Sequence, residues 1–266
     1  MTGETLLAVD KMEVVYQRAI TAVQGITMQV REGQIVAVLG TNGAGKSTTL
    51  RAISGFLGLD DARVTEGTIR FKGARLENRP PHEITQRGLA LVPERDKVFP
   101  NLSVAENLAV VPRRKGAGRR SMNDVVYHFF PRLTELRRRE AGLLSGGERQ
   151  MLAIAAGLMC EPELLLIDEL SLGLSPVAVG ELAKSLVAIR AELGISILLV
   201  EQSASVALKI ADYGYVLENG RVVLDGDAER LGSHSEIQEF YLGQAGADRR
   251  SYRDVKQYRR SRRWYG

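Results

Sequence analysis

The sequence predicts an α/β fold: a parallel sheet covered by helices on both faces, an antiparallel β layer built largely from the N-terminal strands, and an inserted helical subdomain. Three observations lead there. Continuous β-branched and leucine runs at 35–39, 164–167 and 195–200 read as strands covered on both faces, the habit of parallel sheets. Helical patterns lie between and after them, at 46–55, 146–160, 177–193 and 203–210, and such alternation implies a parallel α/β sheet. Between about 95 and 160 the strand pattern disappears and helical signals take over.

Taken in order, LLAVDKMEVVY (6–16) and GITMQV (25–30) alternate apolar with polar residues and are linked to their neighbours by short turns such as Arg31-Glu32-Gly33, so they read as strands with one solvated face. QIVAVLG (34–40), GTIRFKG (67–73) and LALVP (89–93) add three more. Ser103-Val104-Ala105-Glu106 is a capping box that starts a helix within the insertion. LLLID (164–168), ISILLVE (195–201) and GYVLENGRVVL (214–224), the last read as one run, complete the strand set. No internal repeat is visible.

With 266 residues, 44% hydrophobic and 26% charged, the chain has the balance of a globular protein able to bury a core. No stretch approaches the roughly 18 to 20 apolar residues of a transmembrane helix, and MTGETLLAVD does not read as a signal peptide, so a cytoplasmic location is expected. The single cysteine, Cys160, excludes an internal disulfide and reads as a packed thiol. The net charge of +4 is unevenly spread: residues 244–266 carry eight Lys or Arg against Asp248 and Asp254, a charge of +6, which leaves −2 on residues 1–243. A weakly acidic body with a basic appendage argues against a nucleic-acid-binding domain.

Gly40-Thr41-Asn42-Gly43-Ala44-Gly45-Lys46-Ser47 fits G-x-x-x-x-G-K-[ST], directly after the strand QIVAVL and at the start of the helix KSTTLRAIS. The glycines let the backbone wrap closely so that its N–H groups point at phosphates, and the helix N-terminus adds partial positive charge. Lys46 is expected to neutralise the β- and γ-phosphates, Ser47 to ligate Mg²⁺, and Thr48 to hydrogen-bond the α-phosphate. LLLIDE (164–169) ends a buried strand on two carboxylates. Asp168 is suited to hold Mg²⁺ through water, and Glu169 to polarise the water that attacks the γ-phosphate.

Leu144-Ser145-Gly146-Gly147-Glu148 is a second helix start, with Ser145 and Glu148 as its capping box and Met151, Ile154, Ala155 and Leu158 at helical spacing behind it. Two glycines between cap and helix leave unshielded N–H groups, which suits contact with an anion. Because the phosphate loop already covers one side of its own nucleotide, this second anion site is expected to serve ATP held by another subunit, which makes the active site composite.

Phosphate loop, LSGGE and LLLIDE occur in the order and spacing of the ABC ATPases, which the chain resembles over about residues 6–243. The resemblance implies a RecA-like P-loop ATPase core (6–94 and 160–243), with a helical signature subdomain at about 95–159 and ATP with Mg²⁺ as ligands. It further implies that Tyr16 stacks on adenine, that Glu94 occupies the loop that contacts Mg²⁺ and senses the transmembrane subunit, that Ser171-Leu172-Gly173-Leu174 forms the dimer-contact loop, and that Gln202 faces the γ-phosphate.

Three positions depart from the family's usual pattern: Glu94 in place of glutamine, Leu170 in place of proline, and Gln202 in place of histidine. His82, His128 and His234 are all misplaced to substitute. Gln202 can donate a hydrogen bond but carries no charge, so slow hydrolysis at this half-site, with a faster site on a partner, is expected. VPERDKVFPNLSVAENL, DELSLGLSP, LLVEQSASVALKIADYGYVLENGRVVLDG and EFYLG look like the second ATP-binding subunit of branched-chain amino acid importers of the Liv type, which has Glu and Gln at those positions. Similar subunits serve urea, short-chain amides and other amino acids. The partners implied are a second ABC ATPase subunit, in a homo- or heterodimer, and multi-span permeases; the location implied is peripheral, on the inner face of the cell membrane.

Two segments fall outside that scheme. Residues 112–120 (PRRKGAGRR) read as a solvated basic loop. Residues 244–266 read as a mobile basic appendage, whose arginines, interleaved with Tyr252, Tyr258, Trp264 and Tyr265, would also suit anionic headgroups.

Overall fold

The computed structural model of the chain describes residues 3–95, 97–112, 121–233 and 237. The basic appendage and all but the first residue of the basic loop, Pro112, lie outside the described residues. Strands β1 (Thr5–Tyr16), β2 (Ile20–Arg31), β4 (Ala62–Phe71) and β5 (Ala74–Arg75) form an antiparallel sheet in the order β2-β1-β4-β5. A second sheet takes β3 (Ile35–Gly40), β6 (Leu89–Val92), β7 (Leu164–Asp168), β8 (Ser196–Glu201), β9 (Tyr213–Glu218) and β10 (Arg221–Asp227) in the order β10-β9-β3-β8-β7-β6. All its neighbours pair parallel except β9 and β10. Helices α1 (Lys46–Ser54) and α2 (Pro81–Gln86) precede β6; α3 (Val104–Ala109), α4 (Met122–Phe129), α5 (Pro131–Glu135) and α6 (Gly146–Met159) lie between β6 and β7; α7 (Pro176–Leu193) and α8 (Ala204–Ala207) flank β8; α9 (Ala228–Ser233) follows β10.

The uninterrupted apolar runs are explained by burial on two sides. Ile35, Ala37 and Leu39 of β3 face one core with Leu165 and Ile167 of β7 and the helices α3 to α8. Val36 and Val38 face the other core, with Leu164, Leu166, α1 and the antiparallel sheet. Successive side chains on a strand point to opposite faces, so a sheet covered on both needs apolar residues at every position.

Two expectations are corrected. GYVLENGRVVL is a hairpin rather than one strand: Asn219 (φ 48°) and Gly220 (φ 73°) turn the chain between β9 and β10, the positive-φ pair of a type I′ turn. The 203–210 segment is helical only over Ala204–Ala207 and continues as turns. The short α2, entered through Pro80 and Pro81, is an element the sequence pattern did not reveal. Among the described residues no helix is long and apolar enough to cross a membrane.

Candidate functional site

Strands β3, β7 and β8 end at one edge of the parallel sheet, which is where α/β sheets place their ligands. Gly40 closes β3 at a point where a Cβ would lie 2.6 Å from the Leu217 carbonyl oxygen and 2.9 Å from the Ala44 Cβ, so no larger residue fits. Beyond it, Gly43 (φ 80°) and Gly45 (φ 98°) bend the chain into the start of α1, which has no side-chain cap. Within the loop only the Ala44 N–H finds a backbone acceptor, the Thr41 carbonyl at 3.1 Å. Among the described residues, the N–H groups of Asn42, Gly43, Gly45, Lys46, Ser47 and Thr48 have no protein acceptor. Such a run of unpaired donors at a helix N-terminus is the chemical complement of a phosphate chain.

Lys46, 5% exposed, lies in this cradle. Its Nζ donates to the carbonyls of Gly40 at 2.9 Å and Thr41 at 3.2 Å and lies 3.6 Å from Glu169 Oε1. The Ser47 hydroxyl donates to Asp168 Oδ1 at 3.0 Å. A cavity of about 280 Å³ is lined by Ala22, Asn42, Gly43 and Gly45 to Thr48 together with Glu94 and Glu169. Tyr16 is half-buried beside it, its hydroxyl 3.3 Å from Thr48 Oγ1.

The acids at this edge are held under tension. Burial pushes the Asp168 carboxyl above the usual range; Glu169 and Glu94 push the same way, while Ser47 and Lys46 pull it back. Glu169 is likewise raised, first by burial and then by Glu201, against the pull of Lys46 and of the Gln202 N–H, which donates to its Oε2 at 3.3 Å. The Glu169 backbone sits at φ 57°, a left-handed conformation that costs a non-glycine residue about 1–3 kcal/mol and tends to occur where function demands it. Its N–H is anchored on the Val200 carbonyl at 3.0 Å. Among the described residues no group of three or more His, Cys, Asp or Glu is placed to hold a metal. The hydroxyl of Ser47 beside the carboxylate of Asp168, with Glu94 on the same cavity, instead suits a hard cation that completes its shell with water and phosphate oxygens.

Ser145 and Glu148 form the expected capping box at α6: Ser145 Oγ accepts the Glu148 N–H at 3.3 Å and Glu148 Oε2 accepts the Ser145 N–H at 2.9 Å. Arg132 holds the other Glu148 oxygen at 3.0 Å. The N–H groups of Gly146 and Gly147 have no protein acceptor among the described residues. The glycines have a second cause that spacing could not reveal. A Cβ on Gly146 would lie 3.0 Å from Leu174 Cδ2, and one on Gly147 would lie 3.2 Å from the Ala178 Cβ, so the helix tip packs closely on the loop after Glu169 and on α7. This tip does not line the phosphate-loop cavity of its own chain. Gln202 has an exposed side chain, and it meets the site through its backbone, whose N–H donates to Glu169.

One residue at the site was missed by sequence reasoning. Glu201 ends β8 at 0% exposure, accepting the Ser171 N–H and hydroxyl, each at 2.8 Å, and its own pKa is raised by burial. The signal was present, a carboxylate closing a fully apolar strand next to Gln202, but such a residue also reads as the solvated end of a strand.

A family model described as ABC transporter matches residues 23–171. Among curated relatives, the high-affinity branched-chain amino acid transport ATP-binding protein BraG of Pseudomonas aeruginosa is 40% identical over 90% of this chain and 100% of its own length. The probable branched-chain amino acid transport ATP-binding protein LivF of Archaeoglobus fulgidus is 36% identical over 82% of this chain and 91% of its own. Among solved structures, the ADP conformation of MJ1267, an ATP-binding cassette of an ABC transporter, superposes with a TM-score of 0.76 at 25% identity, covering 91% of this chain and 100% of that one.

Proposed function

The chain belongs to the ABC transporter family, and from that premise we propose that it binds MgATP and energises the uptake of branched-chain amino acids through a membrane permease. It is an ATP-hydrolysing subunit of an ABC importer; the solute, the metal and the partners are the proposal. The observation that carries it is the set of unpaired N–H groups of Asn42, Gly43 and Gly45 to Thr48 around Lys46, with Glu169 on the same cavity and Asp168 bonded to Ser47. Residues 6–94 and 160–243 form the nucleotide-binding core in this reading, and about 95–159 the helical signature subdomain.

Each residue then has a task. The loop N–H groups and Lys46 bind and neutralise the phosphates, and Thr48 binds the α-phosphate. Tyr16 packs on adenine. Ser47, Asp168 and Glu94 would hold Mg²⁺, which when bound neutralises charge developing between the β- and γ-phosphates. Glu169 orients the attacking water and accepts its proton as the oxygen bonds to phosphorus and ADP leaves. Gln202 donates a neutral hydrogen bond to a γ-phosphate oxygen, which makes this the slower half-site. Ser145, Gly146, Gly147 and Glu148 present the α6 tip to the γ-phosphate of ATP held by a second ATPase subunit, while permeases bring the pair to the inner face of the membrane.

Support for the solute comes from BraG and LivF, relatives named for branched-chain amino acid transport that match most of this chain. The test is uptake in vesicles carrying the chain with its co-purifying permeases and ATPase partner. ATP-dependent leucine accumulation, abolished by Lys46→Ala, is the expected result. Accumulation of urea or acetamide with no response to leucine would contradict the solute assignment and leave the ATPase assignment standing.

A further inference from the structure

Glu201 is fully buried, and none of the tasks assigned to the site uses it. Its oxygens divide between the two donors of one residue, Oε1 taking the Ser171 N–H and Oε2 the Ser171 hydroxyl, both at 2.8 Å. The nearby backbone N–H groups of Leu170 and Ser203 also favour its charged form against the burial. Burying a carboxylate is far more costly than burying an amide, and only several charge-assisted hydrogen bonds make it tolerable. Here those bonds are not scattered. Ser171 lies two residues after Glu169, and Glu201 itself directly precedes Gln202. One carboxylate therefore pins together the two chain segments that bear the residues assigned to the γ-phosphate.

The pinned loop continues toward the second site. Gly173 turns it at φ 71°, and Leu174 ends against Gly146 at the tip of α6, the contact a Cβ there would meet at 3.0 Å. Leu172, just before Gly173, is 58% exposed. A single five-residue stretch thus joins Glu169, at the phosphate loop of its own chain, to the glycines that face a partner's nucleotide.

Resting on the proposed function of the site, we infer that Glu201 is a positioning residue: by clamping Ser171 to the end of β8 it fixes the Glu169 carboxylate for its own nucleotide and, through Leu174, the α6 tip for the nucleotide of the second protomer. Its removal should slow the chemical step at both sites while leaving the phosphate cradle intact.

The test is steady-state ATP hydrolysis by the full chain, with nucleotide affinity measured separately by a fluorescent ATP analogue. Glu201→Ala is expected to lower kcat about tenfold or more with KM and analogue affinity within about twofold of the parent, the scale on which small misplacements of catalytic groups act. Glu201→Gln, whose side-chain oxygen can still accept the Ser171 N–H, is expected to recover at least about a third of the parent kcat. Ser171→Ala keeps the N–H and is expected to lose less than Glu201→Ala. Should Glu201→Ala fail to fold, a smaller kcat loss, about threefold or more, at constant KM in Ser171→Ala carries the test. Variants that fold and turn over like the parent, or in which kcat and affinity fall together, would overturn the inference. A parent chain that bound no ATP at all would instead overturn the proposed function beneath it.

Discussion

Two helices of this molecule begin with glycines, and they begin differently. The N-terminus of α1 has no side-chain cap, is entered through a left-handed Gly45, and is surrounded by Lys46, Glu169 and Glu94, with Asp168 bonded to Ser47. The N-terminus of α6 is closed by its own Ser145–Glu148 box and rests its glycines against Leu174 and Ala178. The first is a whole site, with cation, acids and donors in one cavity. The second offers two N–H groups and the helix dipole, held rigidly by a carboxylate, Glu148, that is itself taken up by the cap and by Arg132, and that is half of a site. The difference teaches that glycine at a helix start serves two ends: in the loop it opens backbone to a ligand, and at the α6 tip it also brings two helices close enough to hold that backbone still.

That contrast can be broken or sharpened by substitution. Lys46→Ala removes the cation inside the cradle and should lower hydrolysis by about 100-fold or more, the scale of a lost transition-state charge contact; a turnover assay that finds the variant within about tenfold of the parent would deny the cradle its role. Gly146→Ala presses a methyl on Leu174 at the tip while leaving the cradle untouched. Turnover should fall about tenfold while ATP binding to the isolated chain, followed by equilibrium titration, is unchanged; weakened binding would mean that the two regions are not separate.

Glu169→Gln probes the acids around the cradle through stability. The folded pKa of Glu169 lies above its usual value of 4.5, for burial and Glu201 disfavour its charge. The stability it contributes is therefore fully present below 4.5 and is lost as pH rises through the raised value. Nucleotide-free Glu169→Gln should melt at a higher temperature than the parent at pH 8, with the gap closing as pH falls toward 5; a parallel offset at every pH would contradict the assignment. The smallest effect belongs to the tip's own cap. Ser145→Ala should cost about 1 kcal/mol, or about 2–4 °C in Tm for a domain of this size, and calorimetry that registered no change would mean the box is not holding α6.

The cradle was legible from spacing because its chemistry is local: Gly40 to Ser47 is one contiguous stretch between one strand and one helix, and Asp168 and Glu169 close a run that reads as a buried strand on its own. The capping boxes at Ser103 and Ser145 are local in the same way. What escaped was long-range. The packing of Leu174 on Gly146 and the clasp of Glu201 on Ser171 join residues about 30 positions apart, with no periodicity to betray them. The Asn219-Gly220 turn was a different failure, a local signal overridden by the apolar residues on either side of it. That turn also matters to the site, since the Gly220 N–H donates to the Ala44 carbonyl at 3.0 Å and so braces the phosphate loop from outside.

In the proposed dimer, the cradle of one protomer and the α6 tip of another close on the same ATP. Cys160 is the only cysteine in the sequence, so a Cys160→Ser background permits a single engineered pair, Asn42→Cys with Ser145→Cys, in a chain also carrying Glu169→Gln to arrest hydrolysis. On mild oxidation, the expected result is a disulfide-linked dimer that forms with MgATP, alone or with the partner ATPase carrying the matching cysteine, and does not form with ADP. Monomers in every nucleotide state, or the same yield of dimer without nucleotide, would contradict the account.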